Sequence, residues 1–237
     1  MDIVEPILPN TVLQYSIKQQ LTHIPSALSM LTYVDVLFTG KHVVPYKHKI
    51  VIGKPFGSQT YYLIWKRLNY IKHIESLSPG VKHDEIDFVN FGEETMGNAL
   101  GVASGIAMTT LQRVWVNLSD AALQMGSTLE AIQYIGHKKL ANIVVTVDYN
   151  NQQVTGRISD ILPIEPVISF FSNNGWATIV VDGHDYLKLK TEFRAKYSKP
   201  TVFFCKTIKG HGVPFMEADP VTWHYKKVDE KYLRQVS

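Results

Sequence analysis

Apolar positions along the chain follow two rhythms in turn. Asn10 and Thr11 open a helical spacing through Val12, Leu13 and Ile17, and Ser26 is placed to cap a second through Leu28, Leu31, Val34 and Leu37, ending at Gly40. Residues 49–53 then read as a short buried strand, with a helix behind it over 61–70 that carries bulk at Tyr61, Ile64, Trp65 and Leu68. A further helix is predicted over about 96–110. Runs of β-branched and aromatic residues at 114–118, 143–147, 178–181 and 201–204 read as strands. Between them lie helical patterns at 127–138, at 163–173 closed by Gly175, and at 186–197 before Pro200. The alternation predicts an α/β fold, a parallel sheet sandwiched by helices. From Gly210 onward the hydrophobic period is lost, and 210–237 reads as an irregular C-terminal arm of one domain spanning 1–237.

Composition narrows the classes without choosing among them. Of 237 residues, 45% are hydrophobic, 19% charged and 11% aromatic, which excludes disorder, collagen-like repeats and a disulfide scaffold. The net charge of +3 comes from dispersed basic residues, so a nucleic-acid partner is not implied. Cys205 stands alone and cannot pair internally, and Met1-Asp2-Ile3-Val4-Glu5 lacks the basic start and apolar run of a secretory signal; a cytoplasmic location is expected. The uncharged stretch 95–112 contains Asn98, Ser104, Thr109, Thr110 and Gln112, too polar to cross a bilayer, so no membrane partner is expected.

In an open parallel sheet ligands bind beyond the carboxyl ends of the strands. Two such ends carry chemistry. Ser119-Asp120-Ala121-Ala122 sets one acid among small residues before a helix, and Asp148-Tyr149-Asn150-Asn151-Gln152-Gln153 is rich in side-chain oxygen. An Asp carboxylate and an Asn amide oxygen from neighbouring strand ends are hard ligands suited to Mg²⁺ or Ca²⁺. Small residues beside Asp120 would let backbone N–H groups approach a diphosphate at a helix start. The plainer alternative is that Asp120 caps a helix and Asn150-Asn151 makes a turn.

Asp120 and Asn150, thirty residues apart with Glu130-Ala131 and Leu140-Ala141-Asn142-Ile143 between them, resemble the thiamine-diphosphate motif of transketolases, which opens with Gly-Asp-Gly. The order of other segments agrees. His23-Ile24-Pro25-Ser26-Ala27-Leu28-Ser29-Met30 resembles the family's opening His-x-Gly/Ser-x-x-Leu, Gly97 to Ala107 its small-residue helix, and Val181-Asp182-Gly183-His184-Asp185 a recurrent strand end. Lys206-Thr207-Ile208-Lys209-Gly210-His211-Gly212, with Trp223-His224, is similar to its closing signature. The resemblance covers nearly the whole chain but only the first, diphosphate-binding third of a full transketolase. It implies the thiamine-diphosphate-binding fold and the N-terminal subunit of a split transketolase, in which a companion subunit supplies the pyrimidine-binding and C-terminal domains, as an α₂β₂ heterotetramer.

Carried over residue by residue, the resemblance implies a metal held by the side chains of Asp120 and Asn150 and the carbonyl of Gln152. The Ala121 N–H would meet a phosphate oxygen and Met96 the aminopyrimidine ring, while His23 and His224 would act as acid/base or polarising groups near a substrate oxygen. The activating glutamate would come from the companion, leaving an isolated chain inactive. Departures gather at the cofactor site. Ser119 and Ala121 replace both glycines, Met125 replaces an interface glutamate while Glu130 is kept, and Phe56 stands at a usual histidine; another family histidine has only His83, two residues out of step, as a counterpart. Glu94 falls in a loop beside the cofactor, where a carboxylate would repel diphosphate unless it points away. These changes fit an altered substrate, or a degenerate assembly subunit without catalysis. A 2-oxoacid dehydrogenase α subunit shares the cofactor motif but not the Leu140 run or the closing signature.

Of the remaining candidates, His42, His48, His73, His137 and His211 read as surface or turn histidines, without the spacing of a zinc site. Gly97, Gly101 and Gly105 share one helical face and predict close helix packing.

Overall fold

A computed structural model of the chain describes residues 5–195 and 197–235. Two helices, α1 (Pro9–Lys18) and α2 (Ile24–Thr39), precede β1 (Lys49–Gly53), as the spacing predicts. There follow α3 (Gln59–Arg67), β2 (Val89–Gly92), α4 (Ala99–Met108), β3 (Val114–Ser119), a 3₁₀ turn at Asp120–Gln124, α5 (Gly126–Lys138) and β4 (Ile143–Tyr149). The chain continues through α6 (Ile158–Ile161), α7 (Glu165–Asn173), β5 (Ala177–Asp182), α8 (Tyr186–Glu192), β6 (Thr201–Lys206) and α9 (Pro214–Ala218).

Among the described residues six strands form one sheet, ordered β2-β1-β3-β4-β6-β5 and parallel throughout. Strand residues alternate between two buried faces because successive side chains point to opposite sides. Ile50, Ile52, Trp115 and Phe203 pack under α2, α3 and α8 against Phe38, Tyr61, Trp65 and Leu189. Val51, Val116, Val145 and Phe204 pack under α4, α5 and α7 against Leu100, Ile132, Ile135 and Phe171. Both faces are covered, so the strands read as continuous apolar runs.

The structure corrects several sequence expectations. Ser26 does not cap α2; the helix starts at Ile24 with Pro25 in its first turn, and the capping position is His23, held at φ 58°. The helix expected over 96–110 begins only at Ala99, because Gly97 takes φ +116°. The strand β2 escaped the pattern because Asn90 and Gly92 break the apolar run of a four-residue edge strand. Gly101 and Gly105 do not pack against a helix of this chain: a Cβ at either would meet nothing within 4 Å. His42 is buried rather than superficial.

The segment after Gly210 is more ordered than its pattern suggests. It contains α9 and 3₁₀ turns at Thr222–His224 and Glu230–Gln235, and Val213, Met216, Trp223 and Val228 pack on Val12, Leu13 and Leu28 of the first two helices. That return lays His224 beside His23, whose N–H donates to the His224 carbonyl at 2.9 Å.

One close approach gives a stability prediction. A Cβ on Gly136 of α5 would stand 1.8 Å from the carbonyl oxygen of Asn174, where α7 ends. Gly136→Ala therefore forces the α5 and α7 layers apart and costs about 1–3 kcal/mol, read as a lowered thermal midpoint; Gly101→Ala, facing open space, leaves the midpoint unchanged or slightly raised.

Candidate functional site

The carboxyl ends of β1, β3 and β4 open into a cavity of about 600 Å³ lined by His23, Ser26, Lys54, Phe56, Met96, Asp120, Ala121, Asn150, Gln152, Lys209, His224 and Tyr225. All seven residues singled out for the site thus reach one cleft, from segments between residues 23 and 224. Neighbouring strands explain the pairing of Asp120 with Asn150: Ser119 of β3 is in register with Asp148 of β4, so both strands leave the sheet side by side.

Asp120 is 1% exposed. Its carboxylate accepts from the N–H groups of Ala121 at 2.9 Å, Asn150 at 3.0 Å and Asn151 at 2.7 Å. The Ala121 N–H is thereby engaged by Asp120 itself rather than left open toward the cleft. Ser119, not Asp120, caps the 3₁₀ turn, through its hydroxyl and the Ala122 N–H at 3.2 Å. Asn150-Asn151 does make the expected turn, with Asn151 at φ 56° and Asn150 Oδ1 accepting from the Gln152 N–H at 2.9 Å, yet Asn150 and Gln152 still line the cleft.

Behind these residues lies a charge pair the sequence did not disclose. Lys54, just past β1, donates to Asp148 Oδ2 at 2.5 Å, and both are buried. Ser29 donates to Asp148 as well, Thr207 donates at 2.6 Å, and Asn150 Nδ2 donates at 2.8 Å. Asp148 thus fixes which way the Asn150 carboxamide faces. Lys209 is the second buried ammonium, 3.3 Å from the Gln152 carbonyl and 3.0 Å from His224 Nδ1.

The electrostatics follow from this layout. Burial first, and the negative charge of Asp148 second, push the Asp120 carboxyl up to about 7, against the pull of Lys54. Burial would raise Asp148 too, but the Lys54 ammonium and the hydroxyl donors outweigh it and hold that carboxyl below its usual range. Burial and the neighbouring Lys54 lower Lys209 to about 8. One carboxylate therefore lacks a cation, and a buried ammonium would gain from an anion, which is the charge pattern that suits a cation together with a diphosphate. The Asp120 and Asn150 oxygens are hard donors on one wall, so the residues fit such a group. Among the described residues no cluster of three or more His, Cys, Asp or Glu side chains gathers into a metal site.

His23 and His224 line the same cleft. Their ring centroids lie 4.7 Å apart, Phe56 stacks on His23 at 4.8 Å, and Tyr225 closes on both. Burial, then Lys54 and Lys209, lowers His23 to about 4, and burial, then Lys209, lowers His224 to about 3. Both rings are neutral at pH 7. Because an ammonium can only donate, Lys209 leaves His224 Nδ1 as acceptor and Nε2 as the protonated nitrogen. NMR of the side-chain nitrogens should show His224 neutral until the pH falls toward about 3, and Lys209→Met should move its midpoint upward toward the ordinary 6.5. A His224 that titrates near 6.5 in the unaltered chain would contradict this packing.

Among the departures, Phe56 does enter the cleft, whereas Met125 does not line it and His83 is exposed and outside it. Glu94 stands at the rim, 3.8 Å from Lys82, while the carboxylate that turns inward is Glu93. Glu93 is buried, accepts the N–H groups of Asn98 and Ala99 at the start of α4, and keeps Oε2 without a partner; burial raises its pKa. Sequence reasoning passed over Lys54 and Glu93, and named Asp148 only as part of the oxygen-rich strand end without assigning it a partner. The available signal was a charged residue at the end of an apolar strand, Lys54 after Gly53 and Asp148 after Val147.

Comparison with known proteins identifies the family. The family described as transketolase, thiamine diphosphate binding domain, matches residues 69–231. Mouse transketolase is 28% identical over 210 residues, covering 81% of this chain and 33% of the mouse protein. A transketolase family protein of Sinorhizobium fredii is 32% identical over 133 residues, 52% of this chain and 48% of that protein. Among solved structures, the transketolase of Campylobacter jejuni superposes with a TM-score of 0.80 at 19% identity, covering 96% of this chain and 40% of its own. The chain thus spans about a third of the length of the mouse transketolase it matches. By this match over most of its length, the chain belongs to the transketolase family as a thiamine diphosphate binding domain.

Proposed function

We propose that the chain is the diphosphate-binding subunit of a two-component transketolase-like transferase that moves a two-carbon ketol unit between sugars or sugar-like acceptors. It works with thiamine diphosphate and Mg²⁺ (or Ca²⁺), and with a companion subunit carrying the pyrimidine-binding and C-terminal domains, in an α₂β₂ assembly in the cytoplasm. The observation that carries this reading is the convergence of Asp120, Asn150, Lys209, His23 and His224 on one cleft at the carboxyl edge of the sheet. A further observation supports it: α4 leaves Gly101 and Gly105 uncovered, a face on which a companion can dock.

When bound, thiamine diphosphate supplies the carbanion chemistry. Asp120, Asn150 and the Gln152 carbonyl would hold the metal, and Lys209 would meet diphosphate charge. The neutral His224, with Nε2–H as donor, would polarise a substrate oxygen, and His23 would orient the adjoining hydroxyl. Phe56 replaces a polar partner by an apolar wall, which favours a substrate with less hydroxyl contact at that point.

Co-purification with the product of a neighbouring reading frame, followed by calorimetry and a ketol-transfer assay, tests this. The expected outcome is a mixed complex with metal-dependent cofactor heat and transfer to an aldehyde acceptor. Assembly without cofactor heat would replace it with a non-catalytic assembly subunit. Decarboxylation of a 2-oxoacid in place of ketol transfer would replace it with a dehydrogenase α subunit.

A further inference from the structure

The amino edge of the sheet carries a second cavity, of about 540 Å³, lined by Lys41, His42, His48, Arg113, Asn142 and Arg194 among others. It lies at the opposite end of the strands from the cofactor cleft: His48, Arg113 and Asn142 immediately precede β1, β3 and β4. A six-residue strand such as β3 separates the two ends by roughly 20 Å. Lys41 follows the carboxyl end of α2 and Arg194 that of α8.

The charge here is one-sided. No carboxylate lines the cavity, and among the described residues Lys41, Arg113 and Arg194 make no ion pair. Cations at helix carboxyl ends have an ordinary use, since each end carries about half a negative elementary charge. Two ends thus offset about one charge, and at least three full cations face the space. Lys47 and Lys190 stand near enough to add to the field at His48 and His42.

His42 is 8% exposed, and its Nε2 is buried against Gly40 without a hydrogen-bond partner. Burial, then Arg194, Arg113 and Lys190, hold His42 down to about 4, so the ring is neutral. His48 Nδ1 accepts the Val44 N–H at 3.1 Å, which leaves Nε2–H as a donor. The wall is stiff: Asn142 Nδ2 clamps the carbonyls of Ala107 at 3.0 Å, Thr110 at 3.0 Å and Gln112 at 3.3 Å.

We propose that this cavity is a second binding site of the chain, for a phosphate dianion carried by a small monoester or free in solution. Two guanidinium forks and an ammonium match its charge and its several acceptor oxygens. The shallow, open depression admits a small molecule, and the site stands whether or not the cofactor cleft is catalytic.

The test is heteronuclear NMR of the full chain titrated with inorganic phosphate, then with ribose 5-phosphate, repeated on Asp120→Asn to separate this site from the cofactor cleft. Expected are saturable shifts at Gly40, Lys41, Asn142 and Arg194, kept in Asp120→Asn. Affinity falls about tenfold or more in Lys41→Gln/Arg194→Gln, two exposed positions whose exchange leaves the thermal midpoint in place. Tighter binding of the ester identifies a phosphorylated metabolite as the ligand, and equal binding identifies phosphate itself. Shifts confined to Ser26, Ala121 and Gln152, the absence of saturation, or binding indifferent to the double substitution would each overturn the proposal. So would a cavity that ignores phosphate and takes an acidic peptide.

Discussion

Replacing Lys54 by methionine should lower the unfolding free energy by about 3–5 kcal/mol, the cost of leaving a buried charge without its partner. Asp148 is fully buried and relies on that ammonium, since Ser29, Thr207 and Asn150 donate hydrogen bonds without bringing positive charge. Against a typical stability of about 5–15 kcal/mol the loss is large. Denaturant titration at neutral pH measures it.

The sign of the pH dependence separates lost charge pairing from lost packing. In the parent chain Asp148 is held below its usual range, so its contribution is present above the unfolded carboxyl value and fades as the pH falls through the folded one. In Lys54→Met the same carboxyl rises through burial, and the deficit shrinks as the pH is lowered and the carboxyl takes up a proton. Lys54→Met/Asp148→Asn, with no stranded charge, should recover much of the loss at neutral pH. A single variant as stable as the parent, or a deficit that is the same at pH 7 and pH 4, would show that the pair is not what steadies this end of the sheet.

Asp120→Asn should weaken metal-dependent thiamine diphosphate binding by about a hundredfold or more, roughly 2.8 kcal/mol, while leaving the fold in place. The carboxyl is already pushed up to about 7 by burial and Asp148, so removing its charge relieves repulsion inside the cleft. What is lost is the hard anionic ligand facing Asn150. One or two of the N–H groups at Ala121, Asn150 and Asn151 lose an acceptor oxygen, a modest stability cost. Calorimetry with Mg²⁺ decides: cofactor affinity equal to the parent's would remove Asp120 from the metal site, and with it the proposed catalytic reading.

How much of this was legible from residues alone depends on how far apart the partners lie. The β-branched runs at β3, β4, β5 and β6 declare themselves locally, whereas β2 is four residues long and carries Asn90 and Gly92, so no period survives to be read. Asp120 and Asn150 were found because each follows its own strand, and the family resemblance joined them. Lys54 and Asp148 are 94 residues apart, and a lysine after a strand is by default a solvated end. Glu93 was eclipsed by Glu94, since a chain entering a helix does not announce which of two adjacent acids turns inward. His42 read as superficial because its burial comes from Phe193, far along the chain.

The sequence by itself determined the α/β alternation and the carboxyl edge of the sheet as the place for chemistry, because strand patterning and strand-end residues are properties of a few consecutive positions; the seven residues that meet in one cleft came from the family resemblance. Tertiary structure alone decided which charges face each other. The order β2-β1-β3-β4-β6-β5 places strands side by side that are distant along the chain. Burial at that junction raises Asp120, ties Lys54 to Asp148, and at the far edge gathers Lys41, Arg113 and Arg194 around a cavity with no acid among the described residues to answer them. Charge pairing depends on distance and dielectric, and both are set only when the sheet has closed.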